Sequence, residues 1–247
     1  WIRTKGSRCA VMDESIKLIR GKVGTTVVLT IGRNGNNEPL KIPIVRDIIN
    51  IPTIDTEILP SGVFLIRLYN FSAVSPNLFR GALREFIRSQ SDKLILDLRG
   101  NPGGYLEASI DMASWFLASG EIVVKEEFGA KREPVFHRSK GYDIFNDELK
   151  LVILIDGGSA SASEILAGAL REYGKATLIG TKTYGKGSVQ ELVPVTSNTS
   201  LKVTIAKWFT PNGISISEQG LEPDIEVKVG QNDVRGGKDS QLDRAVE

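Results

Sequence analysis

The stretch Leu151-Val152-Ile153-Leu154-Ile155-Asp156-Gly157-Gly158-Ser159-Ala160-Ser161-Ala162-Ser163-Glu164 decides how this chain folds. Leu151 to Ile155 is an uninterrupted apolar run of strand length. It ends in two glycines, and a helix is expected to follow through Tyr173. The same grammar stands upstream. Gly62–Tyr69 reads as a strand, Pro76–Ser89 as an amphipathic helix, and Leu94–Leu98 as a buried strand entering the turn Gly100-Asn101-Pro102-Gly103-Gly104. A helix over about 106–118, a strand at Glu121–Lys125 and a strand at Ala176–Gly180 complete the series. Strand, helix and strand at this spacing imply parallel pairing with right-handed crossovers, so the fold class is α/β.

The flanks have a different rhythm. Residues 13–20 read as a short helix capped by Asp13. Thr25–Arg33 and Leu40–Val45 read as strands joined by a turn at Asn34-Gly35. From Ser188 the period is two again, with Val189–Val195 and Leu201–Ala206 forming a hairpin through Ser197-Asn198. Both ends of the chain read as cuts: it begins at Trp1, and residues 236–247 read as the start of a truncated helix.

Bulk properties exclude several classes. A chain of 247 residues can bury one substantial core and a small extra module. A formal net charge of +1 gives no electrostatic basis for nucleic-acid or anionic-membrane binding. No apolar run approaches the roughly 18 residues of a membrane-spanning helix. The single cysteine, Cys9, excludes an internal disulfide framework and a multi-thiolate zinc site. The single histidine, His137, would have to serve any Ser-His or Cys-His mechanism. It stands in the charged segment Glu133–Arg138 and reads as a hydrogen-bonded or solvated residue of a connecting strand or loop. If the chain is an enzyme, its base is expected to be something else.

Three segments could carry chemistry. In Gly158–Glu164 a serine lies where a helix begins, and the unpaired N–H groups there can hold a developing oxyanion. The plain alternative is that Ser159 or Ser161 only caps the helix, with Glu164 closing a capping box. Gly180-Thr181-Lys182-Thr183-Tyr184-Gly185-Lys186-Gly187-Ser188 nearly spells a phosphate-binding loop. Gly187 stands where a hydroxyl would ligand Mg²⁺, however, and a hairpin follows instead of a helix, so nucleotide binding is disfavoured. In Asp97-Leu98-Arg99-Gly100-Asn101-Pro102-Gly103-Gly104, Asp97 and Arg99 read equally as an ion pair or as part of a site. Together a serine at a helix start and a glycine-flanked lysine fit the Ser-Lys variant of triad logic. A lysine serves as a general base only when desolvated, so Lys186 is expected in a buried, apolar setting.

These segments resemble the C-terminal processing, tail-specific peptidases, which combine a PDZ domain with a Ser/Lys core. Gly158–Ile165 resembles their nucleophile motif, and Thr183–Gln190 resembles their lysine motif. The family's serine-to-lysine interval of 25 residues is met by Ser161 and Lys186. Asp97–Gly104 resembles a third motif; Thr210-Pro211-Asn212-Gly213 and Gly220–Ile225 match the downstream region. The resemblance implies a ClpP/crotonase-like peptidase core over 49–235, preceded at 1–48 by the second half of a PDZ domain. It implies Ser161 as nucleophile, Lys186 as base, Gln190 positioning the lysine, and the amides of Ala162 and Gly104 as oxyanion donors. It also implies no metal or cofactor, unfolded or C-terminally tailed protein substrates, no nucleic acid or nucleotide, and an extracytoplasmic setting. It admits a homodimer of the full-length protein. The competing reading is a peptide- or tail-binding protein of the same fold without turnover.

Overall fold

The computed structural model describes residues 12–32, 38–49, 52–129, 132–196, 199–217, 219–230, 233 and 236–247. The chain divides into two compact units, Trp1–Ile51 and Pro52–Glu247. In the first, helix α1 (Met12–Ile19) precedes an antiparallel pair, β1 (Thr26–Ile31) and β2 (Leu40–Val45), in register Thr26 to Val45. Asp13 lies inside α1 and is not its cap, because the helix opens one residue earlier. The expected Asn34-Gly35 turn lies outside the described residues, as does Ser197-Asn198.

The second unit is built on a six-stranded sheet. Its strands are β3 (Ile54–Ile58), β4 (Phe64–Leu68), β5 (Lys93–Asp97), β8 (Lys150–Ile155), β9 (Thr177–Gly180) and β12 (Ile225–Glu226). They are ordered β12-β9-β8-β5-β4-β3, and all are parallel except the β3 edge. Helices α2 (Ser75–Ser89), α3 (Leu106–Ala113) and α4 (Ala162–Glu172) provide the crossovers. Pro76 opens α2, where its missing N–H costs nothing, and Gln90 closes it in the left-handed conformation at φ 58°.

The central strands read as continuous apolar runs because both of their faces are covered. One face packs with the crossover helices around Ile66, Leu96, Ile153, Phe79, Met112 and Leu166. The other face, around Leu65, Ile95, Leu154 and Ile179, receives Leu242 and Val246 of the C-terminal helix α5 (Ser240–Val246). Residues 162–170 of α4 are buried throughout, which makes it the central helix of this unit.

Beside this lies a four-stranded antiparallel sheet, ordered β10-β11-β6-β7. It comprises β6 (Ile122–Glu127), β7 (Val135–Arg138), β10 (Ser188–Thr196) and β11 (Thr199–Phe209). The strand expected at 121–125 therefore leaves the parallel series, and β6 pairs with β7 and β11. Among the described residues no helix is long and apolar enough to cross a membrane.

Candidate active site

Topology brings the three segments together. β5, β8 and β9 are adjacent parallel strands, so the turns leaving their C-terminal ends meet along one edge. In open α/β sheets this edge is where sites form. Asp156 joins the first two turns: its Oδ1 accepts from Gly100 N at 2.8 Å, Gly158 N at 2.8 Å and Ser159 N at 3.1 Å.

Of the three serines in the second turn, two are committed to structure. Ser159 Oγ donates to Leu98 O at 2.8 Å, and Ser163 Oγ donates to Asn101 O at 3.0 Å. Ser161 is different. It occupies the cap position of α4 at φ 56°, ψ −115°, outside the extended region where helix caps normally lie. A non-glycine residue held in so sparse a region costs about 1–3 kcal/mol and needs surroundings that enforce it. The result is the sharp strand-to-helix turn that presents a serine hydroxyl above a sheet edge. Ser161 and Glu164 pair as in a capping box, yet the Ser161 hydroxyl donates to no protein acceptor among the described residues.

The first turn approaches from the opposite side. Gly103 sits at φ +93°, and a Cβ there would fall 2.6 Å from Ala160 O, 2.8 Å from Ser161 Cβ and 2.9 Å from Ala162 N. Only glycine lets the two backbones come this close. Asn101, fully buried, shapes the turn: its Nδ2 donates to Leu68 O at 2.7 Å and its Oδ1 accepts from Gly103 N at 2.9 Å. The Gly103 amide is thereby occupied. Gly104 is bridged to Phe71 through its neighbours, with Phe71 N donating to Gly103 O and Tyr105 N to Phe71 O. Its own N–H donates to no protein acceptor among the described residues, and neither does that of Ala162 at the first position of α4.

Glu164 ties the nucleophile turn to the lysine loop. Fully buried, it accepts Ser161 N at 2.8 Å and Lys186 N at 3.0 Å on Oε2, and Thr183 Oγ1 at 2.6 Å and Gly185 N at 2.7 Å on Oε1. A carboxylate is acceptor-only, and four donors satisfy it. Sequence reading assigns Glu164 only to the capping box; its hold on the lysine loop needs β8 and β9 to be neighbours. Beyond Lys186, a Cβ on Gly187 would collide with Ser217 N and Ile216 C, which is the physical reason no hydroxyl residue stands there.

Lys186 corrects an expectation. Its side chain is exposed, not buried, and no hydrogen bond joins it to Ser161 or to Gln190. The loop buries its amide against Glu164 and leaves the side chain at the surface. Gln190 is also exposed, on β10 opposite Thr204 just after a register shift. The structure thus brings Ser161, Ala162, Gly104 and the Lys186 backbone together, with the lysine and glutamine side chains left apart. His137 is elsewhere, on β7, with Nε2 3.1 Å from Glu126 Oε2 and its ring edge-on to Trp208.

Asp97 and Arg99 form an ion pair, but a larger one than the sequence suggests. Arg99 donates to Asp97 Oδ2 at 2.6 Å, to Asp239 at 2.7 and 2.8 Å, and to Gln241 Oε1 at 3.1 Å. Burial alone works against the Arg99 charge. Its hydrogen bonds to Asp97 and Asp239 outweigh it and hold the guanidinium above its ordinary range. The bond from Arg99 in turn holds the Asp239 carboxyl below its usual range, with the Leu242 amide helping against partial burial. Asp239 caps α5 through Leu242 N at 3.0 Å, so the C-terminal helix is clasped to the glycine turn beside Ser161.

Comparison with known proteins gives a consistent result. The chain is 38% identical over 243 residues to a carboxy-terminal-processing protease of Bartonella bacilliformis, covering 91% of this chain and 55% of that protein. It is 35% identical over 224 residues to the carboxy-terminal processing protease CtpB of Bacillus subtilis, covering 88% and 45%. The chain therefore spans about half the length of these curated relatives. Among solved structures, the photosystem II D1 C-terminal processing protease shares the fold, with a TM-score of 0.69 at 24% identity over 84% of this chain and 57% of that one. The model of Peptidase family S41 matches residues 62–227, and with it the strands, turns and loops just described: the chain belongs to peptidase family S41.

Proposed function

We propose that this chain is the catalytic part of a serine endopeptidase that cleaves proteins near their C-terminus with a Ser161/Lys186 dyad. The observation that carries the reading is the convergence at one sheet edge of a serine hydroxyl that donates to no protein acceptor among the described residues, two unengaged N–H groups and the lysine loop, with Glu164 tying the serine turn to that loop and Asn101 shaping the Gly104 turn. Ser161 Oγ attacks the scissile carbonyl, and Lys186 takes its proton. The amides of Ala162 and Gly104 receive the oxyanion; the bond from Gly103 N to Asn101 supports Gly104 as the second donor. Lys186 then protonates the leaving amine, and water hydrolyses the acyl-enzyme by the reverse sequence.

For this to work the Lys186 ammonium must lose its water. A peptide lying across Gly104 and Ser161 covers the exposed lysine, so substrate binding itself completes the dyad, and Gln190 orients the lysine in that closed state. Residues 1–48 are read as the second half of a PDZ domain, which in the full-length protein recognises substrate tails by strand addition. The full-length protein is placed outside the cytoplasm, as the family resemblance implies. The test is hydrolysis of an unfolded protein by the full-length enzyme. Loss in both Ser161→Ala and Lys186→Ala supports the dyad, whereas tail binding without any turnover supports a non-catalytic binding protein.

A further inference from the structure

The two amides read as oxyanion donors belong to different turns, Ala162 to the one after β8 and Gly104 to the one after β5. Their spacing is therefore set by contacts between the turns and not by the covalent chain. Hydrogen bonds cross between residues 98–101 and 156–163. Ala160 N and Ser163 Oγ both donate to Asn101 O at 3.0 Å, and Ser159 Oγ donates to Leu98 O at 2.8 Å. A further bond runs from Gly100 N to Asp156 Oδ1 at 2.8 Å.

Asp156 gathers both turns onto one atom. The same Oδ1 accepts from Gly158 N at 2.8 Å and from Ser159 N at 3.1 Å. The residue is itself fixed, because Asp156 N donates to Ser159 Oγ at 3.0 Å and Ser159 N reaches Asp156 O at 2.9 Å. Oδ2, by contrast, receives no bond among the described residues, and the side chain is half-buried at the sheet edge. The turns close so tightly here that a Cβ on Gly158 would stand 2.7 Å from Gly100 Cα. The far end of the first turn is pinned separately, with Phe71 N donating to Gly103 O at 3.0 Å and Tyr105 N to Phe71 O at 2.8 Å. Gly104 thus rides on a short turn whose start is fastened to the nucleophile turn through Asp156.

We propose that Asp156 is a positioning residue for the oxyanion hole. Its Oδ1 sets how far Gly104 N stands from Ala162 N, and the acceptor oxygen, not the negative charge, provides the hold. The inference rests on the peptidase reading and adds a residue to it. Asp156→Asn can place its carbonyl oxygen at Oδ1 and turn its NH₂ to the unbonded Oδ2 side, keeping all three N–H bonds. Asp156→Ala keeps none of them. Gly158→Ala leaves Asp156 in place and pries the same two turns apart through its Cβ.

The experiment measures kcat and KM of the full-length enzyme on fluorescein-labelled casein, below the melting transition of each variant. The rate at which a fluorophosphonate labels Ser161 is followed in parallel. Phosphonylation also builds negative charge on an oxygen in the hole, so it reads the hole without casein. Asp156→Ala is expected to lower kcat and the labelling rate together by about 100-fold, with KM within about threefold of wild type. Asp156→Asn, whose neutral bonds are weaker, should recover both rates to within about tenfold of wild type. Gly158→Ala should repeat the losses of Asp156→Ala, and it decides the matter if that variant does not fold. Wild-type kcat in a folded Asp156→Ala or Gly158→Ala protein would overturn the proposal, as would a change confined to KM. Equal losses in Asp156→Asn and Asp156→Ala would overturn it too, because the charge would then be the holding element. So would failure of both alanine variants to fold, which would make the tether a matter of stability. A wild type that neither cleaves casein nor takes the label would overturn the peptidase reading itself.

Discussion

Replacing Glu164 by glutamine keeps the shape of the side chain and removes one acceptor oxygen. The amide has two orientations, and the structure favours one. With its NH₂ toward Ser161 N and Lys186 N, two fixed N–H groups would face a donor. Turned the other way it faces Thr183 Oγ1, which can rotate to accept, and only Gly185 N is left without an acceptor. That orphaned donor costs about 1–3 kcal/mol, and the three remaining bonds lose their charge assistance at roughly 0.5–1 kcal/mol each. The sum, roughly 2.5–6 kcal/mol, corresponds to a fall in Tm of about 5–24 °C for a unit of this size. Thermal unfolding followed by circular dichroism at neutral pH reads the stability. Hydrolysis of an unfolded substrate reads the tether, with kcat expected to fall by about 100-fold or more as the lysine loop leaves its register with Ser161. A Glu164→Gln protein with both Tm and kcat close to wild type would refute the tether.

Gly103→Ala forces a Cβ to within 2.9 Å of the Ala162 amide at a φ of +93°, so kcat should drop by about 100-fold or more in steady-state assays while KM moves little. Lys186→Arg should fold with wild-type Tm, because the side chain is exposed, and show no turnover, because a guanidinium stays charged. Asp239 has a depressed carboxyl value in the folded chain. Its contribution is therefore present above the unfolded value of 3.8 and is lost as pH falls through the folded value. Asp239→Asn should lower stability at neutral pH by about 1 kcal/mol or less, given its partial exposure, and flatten the acid limb of the Tm–pH profile.

The elements legible in the sequence were those with strong physical signatures. β5, β8 and β9 are apolar runs ending at glycines, and α2 is an amphipathic stretch opened by a proline. β3 escaped because Ile54-Asp55-Thr56-Glu57-Ile58 is an edge strand with mostly exposed side chains, which sets no clear alternation. β7 escaped because it has four residues beside Pro134. Helix α3 stops at Ala113, five residues before expectation; Phe116 and Leu117 still reach the core, so the apolar pattern ran past the helix. In the site, the glycine turns and the serine at the helix start were readable locally. The exposure of Lys186, the second role of Glu164 and the reach of Arg99 to Asp239 depend on which strands are neighbours, and no local pattern encodes that.

The most direct test of the dyad is cleavage of casein by the full-length protein in wild-type, Ser161→Ala and Lys186→Ala forms, each shown to be folded by its melting transition. The dyad reading predicts cleavage by wild type and none by either variant, since the Ser161 backbone N–H and the lysine loop are held through one buried carboxylate. Turnover by the Ser161→Ala protein at the wild-type rate would contradict the account.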